Sequence, residues 1–129
     1  MILVDTHAVI WMTQGGTLLS QEAEHALIRG RTEGRLAIAD ITLREVADLI
    51  AKKRVTVKTS MAVYLRFVES LFHIVPISGA IAERSIAFGS RYPKDPADRL
   101  IGATAVVHGW QLVTKDERIR ASGEVACIW

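Results

Sequence analysis

The sequence predicts an α/β/α sandwich, in which a central parallel sheet carries helices on both faces. Short, wholly apolar runs suited to buried strands alternate with longer segments in which apolar residues recur at helical spacing. Such alternation is typical of parallel sheets, because their strands are joined by helical crossovers. The chain has 129 residues, of which 50% are hydrophobic. This is enough for one core, and we expect a single domain over residues 1–129.

The composition excludes several classes of protein. Charged residues make up 23% of the chain, as in folded water-soluble domains, and no apolar run approaches the length of a membrane span. The N-terminus meets an acid at Asp5 and lacks the basic start of a signal peptide. The only cysteine, Cys127, excludes an internal disulfide. We therefore expect a cytoplasmic protein that does not bind a membrane.

The elements follow from the positions of apolar runs, caps and glycines. Strands are predicted at residues 2–4, 35–39, 73–77, 110–114 and 125–129. Helices, counted with their caps, are predicted at residues 6–12, 20–30, 42–54, 60–72, 78–88, 95–108 and 118–121. The first helix is expected to end at the glycines of residues 15–16. Thr42 and Glu45 match a capping box, so the third helix is expected to begin near Thr42.

The loop before the sixth helix places two carboxylates in one turn. Asp95 fits the N-cap, and Pro96 fits the first helical position, where a missing N–H costs nothing. Asp98 lies in the first helical turn, and counting on by three and by seven gives Ile101 and Ala105, which belong to the apolar face. We expect Asp98 to point inward and Asp95 to cap the helix. A metal-ligand role for Asp95 is the alternative.

Four carboxylates from distant parts of the chain are predicted to meet at one edge of the sheet. Asp5 follows the first strand, and Asp116 follows the fourth; Glu45 and Asp98 lie in the first turns of two helices. Right-handed crossovers bring all strand C-termini to one edge, where ligands of open α/β sheets bind. Neighbouring carboxylates repel one another unless a cation neutralises them. Ligation by oxygen alone favours Mg²⁺ or Mn²⁺ over zinc.

Each acid also has a structural explanation. Asp5 could end a strand, Asp98 could favour the positive end of a helix, and Asp116 could be an exposed turn residue. Glu45 could be only the capping partner of Thr42. The edge that the four acids share is the argument for a site. The chain has 16 Lys+Arg against 14 Asp+Glu, so setting these acids aside leaves a basic surface suited to a polyanion, although a mixed solvated surface is equally compatible.

The other residue types that often take part in catalysis or binding are scattered along the sequence. His7 follows Asp5 closely and could contact a substrate, although a lone histidine is more often structural. The three tryptophans are expected to be core or interface residues rather than surfaces on which bases stack; they are Trp11, Trp110 and Trp129. Cys127 is expected to be an unreactive core residue.

In its acidic motifs the chain resembles the PIN-domain proteins and, more narrowly, the VapC toxins of type II toxin–antitoxin systems. The matching blocks extend over nearly the whole chain and comprise residues 3–7, 42–45, 95–101 and 112–116. The resemblance implies an endoribonuclease that depends on Mg²⁺ or Mn²⁺ and hydrolyses RNA phosphodiester bonds. It also implies a cognate VapB-like antitoxin as partner, and a homodimer.

The resemblance further assigns roles to individual residues. Those that match the catalytic, metal-binding quartet of the family are Asp5, Glu45, Asp98 and Asp116. Those that match supporting positions are Asp95, Thr42 and Thr114. Arg44 departs from the family, whose members commonly have an aromatic residue there, so the contacts near Glu45 are open.

Basic residues near the acids are candidates for binding the phosphates of a substrate. They are Arg99, Lys115 and Arg118. For Arg99, a structural pairing with an acid is the alternative.

Two other functions fit parts of the pattern. A phosphatase of the haloacid dehalogenase type also has an aspartate after its first strand, but it needs a second aspartate where this chain has His7. A non-catalytic module that binds RNA or a protein partner on the same fold is the second alternative, because a fold does not fix an activity. Binding of Mg²⁺ or Mn²⁺ distinguishes the enzyme from the module.

Overall fold

The computed structural model describes residues 1–15 and 17–129, and it has the predicted α/β/α architecture. Within these residues five strands form one sheet in the order β3-β2-β1-β4-β5. They are β1 (Ile2–Val4), β2 (Leu36–Ala39), β3 (His73–Val75), β4 (Gln111–Val113) and β5 (Cys127–Ile128). All four strand pairs are parallel. The carboxyl ends of the strands therefore lie at one edge.

The helices of the described residues lie where the sequence places them, with small differences at their ends. They are α1 (Thr6–Thr13), α2 (Gln21–Thr32), α3 (Asp40–Ala51), α4 (Met61–Leu71), α5 (Gly79–Ile86), α6 (Pro96–His108) and α7 (Glu117–Ser122). Gly16, half of the glycine pair expected to end the first helix, lies outside the described residues. None of the helices that the structure describes has both the length and the apolar character needed to span a membrane.

The wholly apolar sequence of β1 reflects burial on both faces of the sheet. Successive side chains of a strand point to opposite faces. Leu3 accordingly belongs to the core that also contains Ile101 of α6, whereas Val4 belongs to the core that contains Val9 of α1 and Leu27 of α2. The sheet thus has an apolar layer on each face, and its carboxyl edge is left for polar side chains.

The capping box predicted at the start of the third helix is wrong. Helix α3 begins at Asp40; its N-cap is Ala39, which has no side chain that can cap. Thr42 is consequently the third residue of the helix and is fully buried. Glu45 therefore lies in the second helical turn, too far from the start of α3 to be a capping partner.

Gly102 allows Tyr92 to lie directly against α6. The Tyr92 ring stacks on Phe88 with 3.9 Å between ring centroids, and its hydroxyl donates to the backbone oxygen of Asp98 at 2.7 Å. A Cβ atom added at Gly102 would collide with that hydroxyl and lie 2.8 Å from the ring carbon that bears it. Carbon atoms pack at about 3.5–4.0 Å, so any larger residue here requires Tyr92 to move. The contact also fixes the first turn of α6, which carries Asp98.

We expect Gly102→Ala to lower the free energy of unfolding by about 1–3 kcal/mol, because the Tyr92 ring has to move out of a packed layer. The measurement is thermal unfolding, in which 1 kcal/mol corresponds to about 3–6 °C for a chain of this size. Gly79→Ala is the matched control, since a Cβ atom there meets nothing within 4 Å. Equal melting temperatures of the two variants would contradict the close packing of Tyr92 on α6.

Candidate active site

An acidic cavity of about 680 Å³ lies at the carboxyl edge of the sheet. The structure brings all four predicted acids to its lining: Asp5, Glu45, Asp98 and Asp116. They come from the residue after β1, from α3, from the first turn of α6 and from the residue before α7. The other lining residues are Thr6, His7, Trp11, Lys115, Glu117 and Arg118. The catalytic role of the four acids stays a prediction, with which their position around one cavity is compatible.

Asp5 caps α1 and is held by two hydrogen bonds. Its Oδ1 accepts from the backbone N–H of Thr6 at 2.8 Å, and its Oδ2 accepts from the hydroxyl of Thr114 at 2.6 Å. Burial raises the pKa of the Asp5 carboxyl above its ordinary value, and the hydrogen bond from Thr114 opposes that effect. The carboxylate is therefore fixed in position but costly to keep charged.

Thr114 connects two of the acids through one hydroxyl. This residue is fully buried at the end of β4. While it donates to Asp5, its oxygen accepts from the backbone N–H of Asp116 at 3.1 Å. Asp116 in turn caps α7, where its Oδ1 accepts from the N–H groups of Arg118 and Ile119 at 2.9 and 3.1 Å. The spacing between Asp5 and Asp116 is thus set by backbone elements on both sides.

Thr6 holds the carboxylate of Glu45 by a hydroxyl hydrogen bond, as Thr114 holds that of Asp5. The buried Thr6 hydroxyl donates to Oε1 of Glu45 at 2.6 Å and lies 3.4 Å from the hydroxyl oxygen of Thr42. Burial is the main cause that raises the pKa of Glu45, and repulsion from Asp5 adds to it. Thr6 is absent from the residues that the sequence predicts to support the site. Its position directly after Asp5 was the available signal, but the contact with α3 depends on the fold.

The environment of Asp98 disfavours its charged form. Burial raises its pKa to about 7, and repulsion from Asp5, Asp95 and Asp116 adds to this effect. Asp95 itself is exposed and does not line the cavity. Its Oδ2 accepts from the backbone N–H of Asp98 at 3.2 Å, which confirms Asp95 as the N-cap of α6.

The oxygen donors of the cavity fit a hard divalent cation. Repulsion from neighbouring carboxylates contributes to the raised pKa of Asp5, Glu45 and Asp98, and a bound cation removes the cost of keeping them charged. Within residues 1–15 and 17–129, no three His, Cys, Asp or Glu side chains are already arranged to enclose an ion. Asp5, Glu45, Asp98 and Asp116 would hold the cation together with water, which Mg²⁺ usually keeps among its ligands.

The basic residues differ from the prediction in one case. Lys115 and Arg118 are exposed and line the cavity. Arg99 does not: its guanidinium donates to the backbone oxygens of Pro93, Ser85 and Phe88 at 3.0, 3.2 and 3.4 Å. These bonds hold the loop before α6 and favour the structural alternative for Arg99, with carbonyl groups in place of an acid.

Comparisons with known proteins agree with this architecture. The PIN domain family model matches residues 2–124. Ribonuclease VapC22 of Mycobacterium tuberculosis is 36% identical over 120 residues, which cover 93% of this chain and 90% of that protein.

Solved structures show the same likeness. A toxin–antitoxin complex from Klebsiella pneumoniae contains a chain that is 30% identical, with a TM-score of 0.68 over 98% of this chain and 96% of that one. VapBC2 from Rickettsia felis, bound to a DNA fragment from its promoter, contains a chain with a TM-score of 0.74 over 98% of this chain and 97% of that one; at 16% identity it shows the fold alone. The chain belongs to the PIN-domain family and, within it, to the VapC group.

Proposed function

We propose that this protein is the toxin of a type II toxin–antitoxin system and that it acts as a Mg²⁺- or Mn²⁺-dependent endoribonuclease. The observation that carries the proposal is the convergence of four carboxylates on one cavity at the carboxyl edge of the sheet. The similarity to a VapC ribonuclease over nearly the whole chain supports RNA as substrate. The similarity to a chain of a toxin–antitoxin complex supports a cognate VapB-like antitoxin as partner.

The residues divide into those that hold the cation and those that hold these ligands in place. Asp5, Glu45, Asp98 and Asp116 would hold the cation, which when bound lowers the pKa of water and stabilises the charge that develops on a phosphate. The hydroxyls of Thr114 and Thr6 each anchor one carboxylate oxygen and so restrict its rotation. Exposed cations at the rim would bind the phosphates on either side of the scissile bond; they are Lys115 and Arg118.

The test is cleavage of end-labelled RNA by the purified protein with Mg²⁺, with Mn²⁺ and with a chelator. We expect cleavage with either metal, loss of cleavage with the chelator, and recovery when excess metal is added. Cleavage that resists the chelator would contradict the metal dependence. A protein that binds RNA but cleaves it with neither metal would instead be the non-catalytic binding module.

We expect Thr114→Val to lower the affinity for Mg²⁺ and the rate of cleavage by about 10- to 100-fold, because Asp5 and Asp116 lose the hydroxyl that orients them. Calorimetric titration with Mg²⁺ and a cleavage assay provide the measurements. Thr114→Ser is the matched control, since it keeps the hydroxyl, and it should remain close to the unmodified protein. Full affinity in the valine variant would mean that this hydroxyl does not position the ligands.

A further inference from the structure

We propose that Trp11 forms the surface on which an unpaired nucleobase of the substrate stacks, at the rim of the acidic cavity. The inference rests on the proposed ribonuclease function and adds to it a binding site for a base. Trp11 lies on α1, six residues after Asp5, and lines the same cavity as the four acids. Trp11 is partly buried, so the expectation of a core or interface residue accounts for only part of its side chain.

The Trp11 side chain is held by its neighbours. It packs against the core between the sheet and α1, and the ring of Trp129 lies 5.9 Å away at 57°. His7, one helical turn earlier on the same face, has its ring centroid 5.7 Å from that of Trp11. A base that approaches from the cavity thus meets a ring whose orientation is already fixed, and little conformational entropy is lost on binding.

The charges of the cavity explain why an aromatic contact is useful there. Five carboxylates line the cavity, against two cations: the acids are Asp5, Glu45, Asp98, Asp116 and Glu117, and the cations are Lys115 and Arg118. An RNA chain is repelled by such a lining except where a metal or a cation compensates. Stacking of a base on an aromatic ring does not depend on charge and accepts any base. It therefore supplies affinity where electrostatic attraction is weak.

Lys115 links the ring to the phosphates. Its Nζ lies 5.5 Å from the centroid of the Trp11 ring, and the side chain is exposed. Such an exposed contact is weak, so the ammonium can exchange the ring for a phosphate oxygen of a bound chain and leave the ring to the base. The same cavity thus offers carboxylates for a metal ion, an aromatic ring for a base and an ammonium for a phosphate.

A base that stacks on Trp11 has to be out of a duplex. Paired bases are stacked on one another and hidden from side chains, whereas bases of loops and ends are free to stack on aromatic residues. The site thus favours single-stranded RNA. Trp110 offers a comparison, because it precedes β4, stacks on His108 at 4.4 Å between ring centroids and does not line the cavity.

The test measures what the bases contribute to binding. The probes are an oligoadenylate, an oligouridylate and a chain of abasic ribose phosphates, all of the same length and charge. Binding is followed by fluorescence anisotropy in the presence of Mg²⁺, and every protein carries Asp98→Asn so that the probes stay intact. We expect this parent to bind the adenylate chain about tenfold more tightly than the abasic chain.

Replacement of the Trp11 ring should largely abolish the difference in affinity between chains with and without bases and leave the affinity for the abasic chain unchanged. We expect Trp11→Ala to lose most of the preference for chains with bases while its affinity for the abasic chain is unchanged. Trp11→Phe retains an aromatic face and should keep most of the preference, and Trp110→Ala should keep all of it. Trp11→Leu replaces the alanine variant if alanine prevents folding, since leucine keeps apolar bulk without an aromatic face.

Two results would overturn the inference. They are an unchanged preference in the Trp11→Ala or Trp11→Leu variant, and an equal loss of affinity for chains with and without bases. Cleavage by the unmodified protein is measured separately. Absence of cleavage counts against the proposed function, whereas the base-dependent ratio is a binding quantity and tests Trp11 in either case.

Discussion

Asp98→Asn is expected to leave the protein folded and to reduce its cleavage of RNA by about a hundredfold or more. Asparagine has the same shape but lacks the charge of a metal ligand. Loss of a residue that only orients a ligand costs about 10- to 100-fold, so loss of the ligand itself should cost at least as much. The measurements are the cleavage rate at high Mg²⁺ and the affinity for Mg²⁺ by calorimetry.

Asp95→Asn is the matched control, because it makes the same chemical change three residues earlier. Asp95 is exposed, caps α6 and does not line the cavity, and asparagine caps a helix as well as aspartate does. This variant should keep its cleavage within a few fold of the unmodified protein. Full activity of Asp98→Asn, or equal losses in the two variants, would contradict the assignment of Asp98 as a metal ligand and Asp95 as a helix cap.

The predictable part of the fold rests on local patterns. Apolar runs and helical spacing place every strand and helix of the described residues, and parallel strands alone imply a shared carboxyl edge. This is why Asp5 and Asp116, which directly follow strands or nearly so, could be assigned to the site. The strand order β3-β2-β1-β4-β5 is not contained in those patterns, because it depends on how the helices pack over the two faces of the sheet.

The parts that could not be predicted depend on the directions of side chains far apart in the sequence. The hydroxyl of Thr6 reaches Glu45 across 39 residues, and that of Thr114 reaches Asp5 across 109. Arg99 follows Asp98 in sequence, but its guanidinium donates to the backbone oxygens of Pro93, Ser85 and Phe88. Proximity in sequence suggests a site, whereas the fold decides which side chains enter it.

Local motifs can also be overridden by the fold. Thr42 and Glu45 have the spacing of a capping box, yet α3 starts directly where β2 ends, at Asp40. Both residues are then free for the site: Thr42 lies near the hydroxyl of Thr6, and Glu45 accepts its hydrogen bond. Glu45 was therefore correctly placed at the edge of the sheet, although the alternative explanation of its spacing was wrong.

The raised pKa of Asp98 predicts that the metal-free protein becomes less stable as the pH rises from about 4 to about 7. The ordinary pKa of this group is 3.8, and in the folded chain it is about 7. Between these values the unfolded chain has released the proton and the folded chain retains it, so raising the pH favours unfolding. The full difference corresponds to about 4 kcal/mol, which solvent screening of this partly exposed carboxyl reduces to about 1–2 kcal/mol.

Thermal unfolding of the metal-free protein and of Asp98→Asn over this range measures the effect. The variant has no proton to lose at this position, so it should be the more stable of the two by about 1–2 kcal/mol near pH 8 and should lose that advantage near pH 4. Parallel curves over the whole range would contradict the raised pKa. Mg²⁺ should stabilise the unmodified protein and so make it the more stable of the two, because the cation binds the ionised carboxylate and competes with the proton. The repulsion between carboxylates that destabilises the metal-free protein thus also favours binding of the cation.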